Sequence, residues 1–214
     1  KGKKEVAETG KTQRARIPRE VIVVSLMVFF YFSCNQVFSN NISMFLAQTG
    51  LGDTVMSGNV SSVNTLVGAI GGLLVIPVHR LFKRQTLTVN AILGAIGAVL
   101  IFTAGSIMPV FAGAFAMSFA YAVYNAISSQ YVSEASDTVG MAFNLAILNS
   151  SGSLGNFFSP MMIGGVAGAF GGTAADSFMV CAGLAAIVGV VSAVYFAKVK
   201  SPKAASTETE VQAG

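Results

Sequence analysis

The chain has 214 residues, of which 53% are hydrophobic and only 10% are charged, with a formal net charge of +4. Soluble domains carry about 25% charged residues, so the composition excludes an ordinary soluble fold and predicts an integral membrane protein. The positive charge does not indicate nucleic-acid binding. The basic residues are confined to predicted loops and ends, where they orient a membrane protein and meet lipid headgroups.

Long uncharged segments define the predicted helices. All thirteen Lys and Arg residues lie in three stretches, 1–19, 80–84 and 198–203. A charge at the centre of a bilayer costs about 2.5–3.5 kcal/mol, and a membrane span needs about 20 apolar residues. The uncharged segments are too long for the strands of a membrane barrel. They predict an all-α protein with six transmembrane helices, at about 20–48, 54–79, 85–107, 109–133, 138–169 and 174–197.

Short polar segments separate these helices in chain order. Asp53 is placed to cap the second helix, which ends at the basic segment 80–84. Pro109 suits the first position of the fourth helix, and Asp137 can cap the fifth. Because proline removes a helix hydrogen bond, we expect Pro160 to kink the fifth helix.

The basic residues also predict the orientation. Six crossings place both ends, and the loops after the second and fourth helices, on one side of the membrane. That side carries every Lys and Arg, so the positive-inside rule makes both ends cytoplasmic in a plasma membrane. The predicted parts are a basic cytoplasmic linker at 1–19, a transmembrane domain at 20–197 and a disordered cytoplasmic tail at 198–214.

Polar side chains are concentrated in four of the six predicted helices. The order is polar, polar, apolar, and then the same again, which predicts two inverted three-helix repeats with a binding site near the midplane. We predict that a shared set of side chains lines a substrate cavity: Asn35, Gln36, Ser39, Asn64, Tyr121, Tyr124, Asn125 and Asn149. The alternative is that these amides and hydroxyls join helices to one another.

Several kinds of chemistry have no support in the residues. No nucleophile–base pair, metal-ligand spacing or pair of intramembrane acids is present, so we predict neither an enzyme nor a bound cofactor or metal. Cys34 and Cys181 are interpreted as packing residues, and His79 as an interfacial residue. No carboxylate lies inside a predicted span. If a proton is a coupled partner, its acid must therefore lie on the substrate or on another part of the protein.

The loop after the second helix resembles the degenerate loop motif of the major facilitator superfamily, roughly G-x-x-x-D-R-x-G-R-R. Arg80, Lys83 and Arg84 stand at its basic positions, which implies that they form a conformational loop. The glycines and the aspartate of the motif are replaced, in motif order, by Val75, His79 and Phe82. With its six spans and basic leader, the chain is similar to the C-terminal half of such a transporter.

The resemblance implies a function. In that family two six-helix halves, joined by a long cytoplasmic loop, rock around a central site. Residues 1–19 would end that loop, and an N-terminal six-helix half would be the missing partner. The expected activity is transport of a small organic solute across the lipid bilayer, as in an efflux permease or antiporter. A glycine–proline pattern on the fifth helix resembles an antiporter motif, but that motif is diagnostic only in the first half of the family, so direction stays open.

Two further hypotheses stay open. The chain could be complete and act as a homodimeric transporter or pore, which an upstream reading frame with six more spans would eliminate. It could also be a membrane scaffold or receptor without transport activity. A deep polar cleft between the first, second, fourth and fifth helices would contradict the scaffold or receptor hypothesis.

Overall fold

The computed structural model describes residues 16–198, and every regular element in this range is helical. The first fifteen residues of the predicted linker, and residues 199–214 of the predicted tail, lie outside the described residues. Seven α-helices and one short 3-10 turn (Lys83–Gln85) follow one another: α1 Arg19–Thr49, α2 Thr54–Leu73, α3 Val75–Phe82, α4 Thr86–Phe102, α5 Ile107–Ala135, α6 Met141–Gly168 and α7 Ala174–Lys198.

Four helical stretches are long and apolar enough to cross a membrane: Arg19–Thr49, Val75–Phe102, Ile107–Ala135 and Ala174–Lys198. The second of these counts α3, the 3-10 turn and α4 together. The helices α2 and α6 are not among them, and both are rich in Asn, Ser and Gly. The all-α architecture is confirmed, whereas the number of crossings stays a prediction.

The second predicted helix is broken near its end. The sequence predicts one helix over 54–79, but α2 ends at Leu73 and α3 begins at Val75. Pro77 explains the break, because it has no N–H to donate to the carbonyl of Leu73, four residues before it. The flanking bonds are kept, since the Leu74 N–H donates to the Ile70 carbonyl at 3.0 Å. The interruption is therefore confined to Leu74.

The helix ends differ from the predicted ones by a few residues. Asp53 caps α2 as predicted, and its carboxylate accepts from the Met56 N–H at 2.9 Å. By contrast, α5 begins at Ile107, so Pro109 is its third residue, still within the first turn whose N–H groups lack helical partners. The carboxylate of Asp137 accepts from the Gly140 N–H at 2.6 Å. The turn that it closes precedes α6, which begins at Met141 and not at the predicted residue 138.

The helix α1 lies at the centre of the bundle. It packs against α5, α6 and α7, while α4 packs between α5 and α7, and α2 packs on α5. Its buried side chains include Phe38, Phe45 and Leu46. Glycines allow the closest crossings: a Cβ on Gly155 of α6 would overlap the backbone carbonyl of Phe29, and one on Gly113 of α5 would lie 2.6 Å from the Gly97 oxygen of α4. The core is therefore built on backbone-to-backbone contact.

The end of the linker is attached to the loop between α5 and α6. The amide of Asn144 donates to the Arg16 carbonyl at 3.3 Å and to the Ser136 hydroxyl at 2.8 Å. Asn144 is fully buried. Because a buried amide is costly to leave unpaired, these bonds hold the chain entry beside that loop.

Candidate substrate-binding face

The exposed surface of the bundle differs in chemistry from one helix to the next. The exposed residues of α4 are apolar, among them Ile92, Ile96 and Val99. Those of α7 are also apolar as far as Lys198. Exposed amides and hydroxyls occur on the other long helices, for example Asn40 on α1. A bilayer selects apolar exposed residues, so α4 and α7 carry the surface suited to lipid.

On α1 the three predicted cavity residues are accessible in different degrees. Asn35 and Gln36 are half-buried, and Ser39 is exposed. The Gln36 amide donates to the Asn40 side-chain oxygen at 3.2 Å, one turn further along. Asn35 also borders a small interior cavity. The turn around Asn35 and Gln36 therefore lies at the border between the exposed surface of α1 and the interior of the bundle.

The contact between α2 and α5 involves a second group of predicted residues. Ser118 donates a hydrogen bond to the carbonyl of Asn64. The side-chain oxygen of Asn64 is buried and has no hydrogen-bond partner among the described residues. Asn125 is exposed, and Tyr121 is half-buried with its ring centroid 4.7 Å from that of Phe32 on α1. The Tyr121–Phe32 contact joins α5, which packs on α2, to α1, which packs against α6.

Tyr124 is placed differently from the other predicted cavity residues. It is completely buried, and its ring stacks on Tyr31 of α1 with centroids 4.1 Å apart. Its hydroxyl has no hydrogen-bond partner within residues 16–198. In this conformation Tyr124 is part of the packed interior and does not reach an open face.

The last predicted cavity residue, Asn149, is exposed on α6 beside exposed Ser150. No hydrogen bond within residues 16–198 joins the side chains of Asn35, Asn64, Asn125 and Asn149 to one another. The described helices thus carry exposed or half-buried polar groups on α1, α2, α5 and α6, and the exposed side chains of Asn125 and Asn149 are accessible for contacts with a ligand.

Comparison with protein families gives a match to the Major Facilitator Superfamily over residues 24–213. This match covers most of the chain and agrees with the all-α bundle. The chain belongs to the Major Facilitator Superfamily. Members of this family are membrane transporters that act on small molecules, and they are not enzymes. No curated protein and no solved structure gives a significant match.

The basic segment 80–84, predicted as a loop, is folded as the end of α3 and the start of the 3-10 turn, and a polar contact joins it to the start of α4. The His79 ring nitrogen Nδ1 lies 3.1 Å from the Thr86 hydroxyl, which donates to the Lys83 carbonyl at 2.6 Å. Arg80 is exposed and Arg84 half-buried. His79 takes the place of the aspartate in the motif, and here it contacts the start of α4. The contact therefore links α3 to α4 across the 3-10 turn.

Lys83 has an unusual backbone. Its φ is 47° and its ψ is −118°, which matches the first central residue of a type II′ turn, where glycine is favoured. Such a conformation costs a side-chain-bearing residue about 1–3 kcal/mol. We expect Lys83→Gly to raise the free energy of unfolding by about 1 kcal/mol, measured as a higher thermal unfolding temperature in detergent. Lys83→Ala removes the same charge but keeps Cβ, so equal stabilisation by alanine would contradict the backbone explanation.

Two features of the interior were not predicted from the sequence. Cys34 and Cys181 are neighbours, since the Cys181 thiol donates to the Cys34 carbonyl at 3.2 Å. Tyr31 donates to the Asn90 carbonyl at 3.2 Å across α1 and α4. Within residues 16–198, no three His, Cys, Asp or Glu side chains are grouped closely enough to hold a metal ion.

Proposed function

We propose that the chain is the C-terminal six-helix half of a secondary transporter in the plasma membrane, with both ends cytoplasmic, and that it moves a small organic solute by alternating access. An N-terminal six-helix half would supply the other wall of the cavity. The proposal rests on one observation above all: exposed amides and hydroxyls occur on α1, α2, α5 and α6, whereas α4 and α7 expose apolar residues.

The pairing of helices supports two inverted repeats. If α1, α2 and α4 form one repeat, then α5, α6 and α7 form the other, in the same order. A two-fold axis between the repeats would exchange α1 with α5, α2 with α6 and α4 with α7. The α1–α6 contact should then have the α5–α2 contact as its counterpart, and the α4–α5 contact should have the α7–α1 contact. Each of these contacts is present. The α4–α7 contact converts into itself, as expected for a two-fold axis in the membrane plane.

The exposed amides and hydroxyls of α1, α2, α5 and α6, called the polar face below, favour an uncharged or amphipathic solute. Acidic and basic residues of the described chain lie at or near helix ends, as Asp53, Glu134 and Asp176 do. A strongly ionic solute would need a fixed opposite charge at mid-depth, because an unpaired charge there is costly. Efflux and antiport are carried over from the family resemblance and are part of the proposal.

Site-directed cysteine labelling tests the cavity. In a background that carries Cys34→Ser and Cys181→Ser, single cysteines replace Ser39, Asn125 and Asn149 on the polar face. Matched controls replace exposed residues of α4 and α7, namely Ile96, Ile187 and Val190. We expect a membrane-impermeant maleimide to label the first set at least about tenfold faster, because only a wet thiol forms the reactive thiolate.

The result that would overturn the assignment is equal labelling of both sets in membranes that contain the whole protein. Slow labelling at all six positions would favour a scaffold in which the amides pack against another protein. Fast labelling at Ile187 and Val190 would indicate that α7 lines the aqueous path instead.

A further inference from the structure

A small cavity in the interior brings together three sulphur-containing side chains. Its volume is about 10 Å³, roughly the space of a single water-sized sphere. Cys34 comes from α1, Cys181 from α7 and Met117 from α5, and each is less than 4% exposed. Tyr31 and Asn35 complete the polar part of the lining. The cavity therefore fits one small atom or ion, surrounded mainly by soft donors.

We propose that Cys34, Cys181 and Met117 form a binding site for a soft monovalent cation such as Cu⁺ or Ag⁺. Thiolate and thioether ligands select soft metal ions, whereas Mg²⁺ and Ca²⁺ require oxygen ligands. Three sulphur ligands from three helices suit the low coordination numbers of such ions. Methionine supplies the third ligand beside the two cysteines.

Charge balance at this depth favours a monovalent ion. The Cys34 thiol would lose its proton as the metal–sulphur bond forms, so one positive charge replaces another and the site stays neutral. Cys181 keeps its proton, which is already donated to the Cys34 carbonyl, so its sulphur is a weak donor like the Met117 thioether, and the Cys34 thiolate is the principal ligand. A divalent ion would leave a net charge in the apolar interior, which is costly.

Among residues 16–198, no other group lines the cavity that could neutralise a charge. The titratable side chains facing the cavity are Tyr31, Cys34 and Cys181, and Tyr124 stacks behind Tyr31. The remaining lining residues, from α4 and α7, are Gly94 and Ala185. Asn35 is half-buried and borders the cavity, so it is the polar lining residue nearest to the proposed substrate face, from which an ion would enter.

Silver provides a redox-stable probe. Purified protein in detergent is equilibrated with Ag⁺ against a competing thiol ligand, and bound silver is measured by mass spectrometry. We expect one Ag⁺ per chain, with an affinity that rises about tenfold per pH unit because one proton is released. Cys34→Ser should weaken binding by more than the ~10–100-fold that loss of an outer-shell partner costs, and Cys181→Ser, which removes a weaker protonated donor, by about tenfold or more. Met117→Leu should weaken it by about tenfold or more.

Met44→Leu is the matched control, since Met44 is exposed on α1, and it should leave the affinity unchanged. If either cysteine variant keeps the wild-type affinity, or if Met44→Leu weakens binding as much as Met117→Leu, the proposal fails. X-ray absorption of the silver-loaded wild-type protein needs no variant to fold. Two or three sulphur neighbours support the site, and a shell of oxygen or nitrogen overturns it.

Discussion

Gly155→Ala is expected to destabilise the bundle by about 1–3 kcal/mol, the usual cost of overpacking. A Cβ at this position would overlap the carbonyl group of Phe29 on α1, and backbone cannot rotate away as a flexible side chain does. The same crossing carries two hydrogen bonds: Ser33 shares its hydroxyl proton between the Gly155 carbonyl at 2.9 Å and the Phe29 carbonyl at 2.8 Å, and Ser159 donates to the Ser33 carbonyl at 2.6 Å. Separating the helices would weaken both.

The measurement can use the protein's own thiols. Cys34 and Cys181 are buried, so a dye that fluoresces on reaction with thiols reports unfolding as temperature rises. For a chain of this size each kcal/mol shifts the midpoint by about 2–4 °C. Gly164→Ala on the same helix is the control, because nothing lies within 4 Å of a Cβ there. A similar loss of stability in both variants would refute close packing at Gly155.

Tyr124→Ala is expected to have the largest effect, on the order of 3–5 kcal/mol, as for other large aromatic side chains removed from a core. Tyr124 is fully buried and stacked on Tyr31, so truncation leaves a cavity that the surrounding helices fill only partly. Thermal unfolding in detergent measures the loss. Unchanged stability would instead place Tyr124 on an open wall, as the sequence predicts.

Tyr124→Phe separates the hydroxyl from the ring. The hydroxyl has no partner among the described residues, so its removal relieves a buried unpaired group and should leave the free energy of unfolding unchanged or raise it by about 1 kcal/mol. Tyr31→Phe should cost about 1 kcal/mol, because the Tyr31 hydroxyl donates to the Asn90 carbonyl. If Tyr124→Phe is the more harmful of the two, then the Tyr124 hydroxyl has a partner outside the described contacts.

Much of the fold follows from simple physical signals in the sequence. Uncharged segments of span length predict the helices, and Asp53 predicts the start of α2. The break after Leu73 is harder to predict, because a proline near a helix end is compatible with either a continuous or a broken helix. The delayed start of α6 depends on a turn closed by Asp137, whose geometry is a local choice that composition does not reveal.

The sequence predicts which residue types form the candidate face, but it does not predict which way each side chain points. Neighbouring helix positions point about 100° apart, so Tyr124 and Asn125 need not both face one cavity. A single sequence does not say which of them is inside; in the structure Tyr124 is buried and Asn125 is exposed. The meeting of Cys34 with Cys181 is a contact between residues 147 positions apart, which depends on how whole helices pack.

The close crossing at Gly155 has a mechanical consequence. With no side chain between the backbones of α1 and α6, and with Ser33 and Ser159 hydrogen-bonded across it, these helices can neither slide nor separate without breaking paired polar groups. We therefore expect α1 and α6 to move together as one rigid unit. Residues on the outer surfaces of α1 and α6 would then keep their mutual distance through a working cycle, while their distances to any facing domain change.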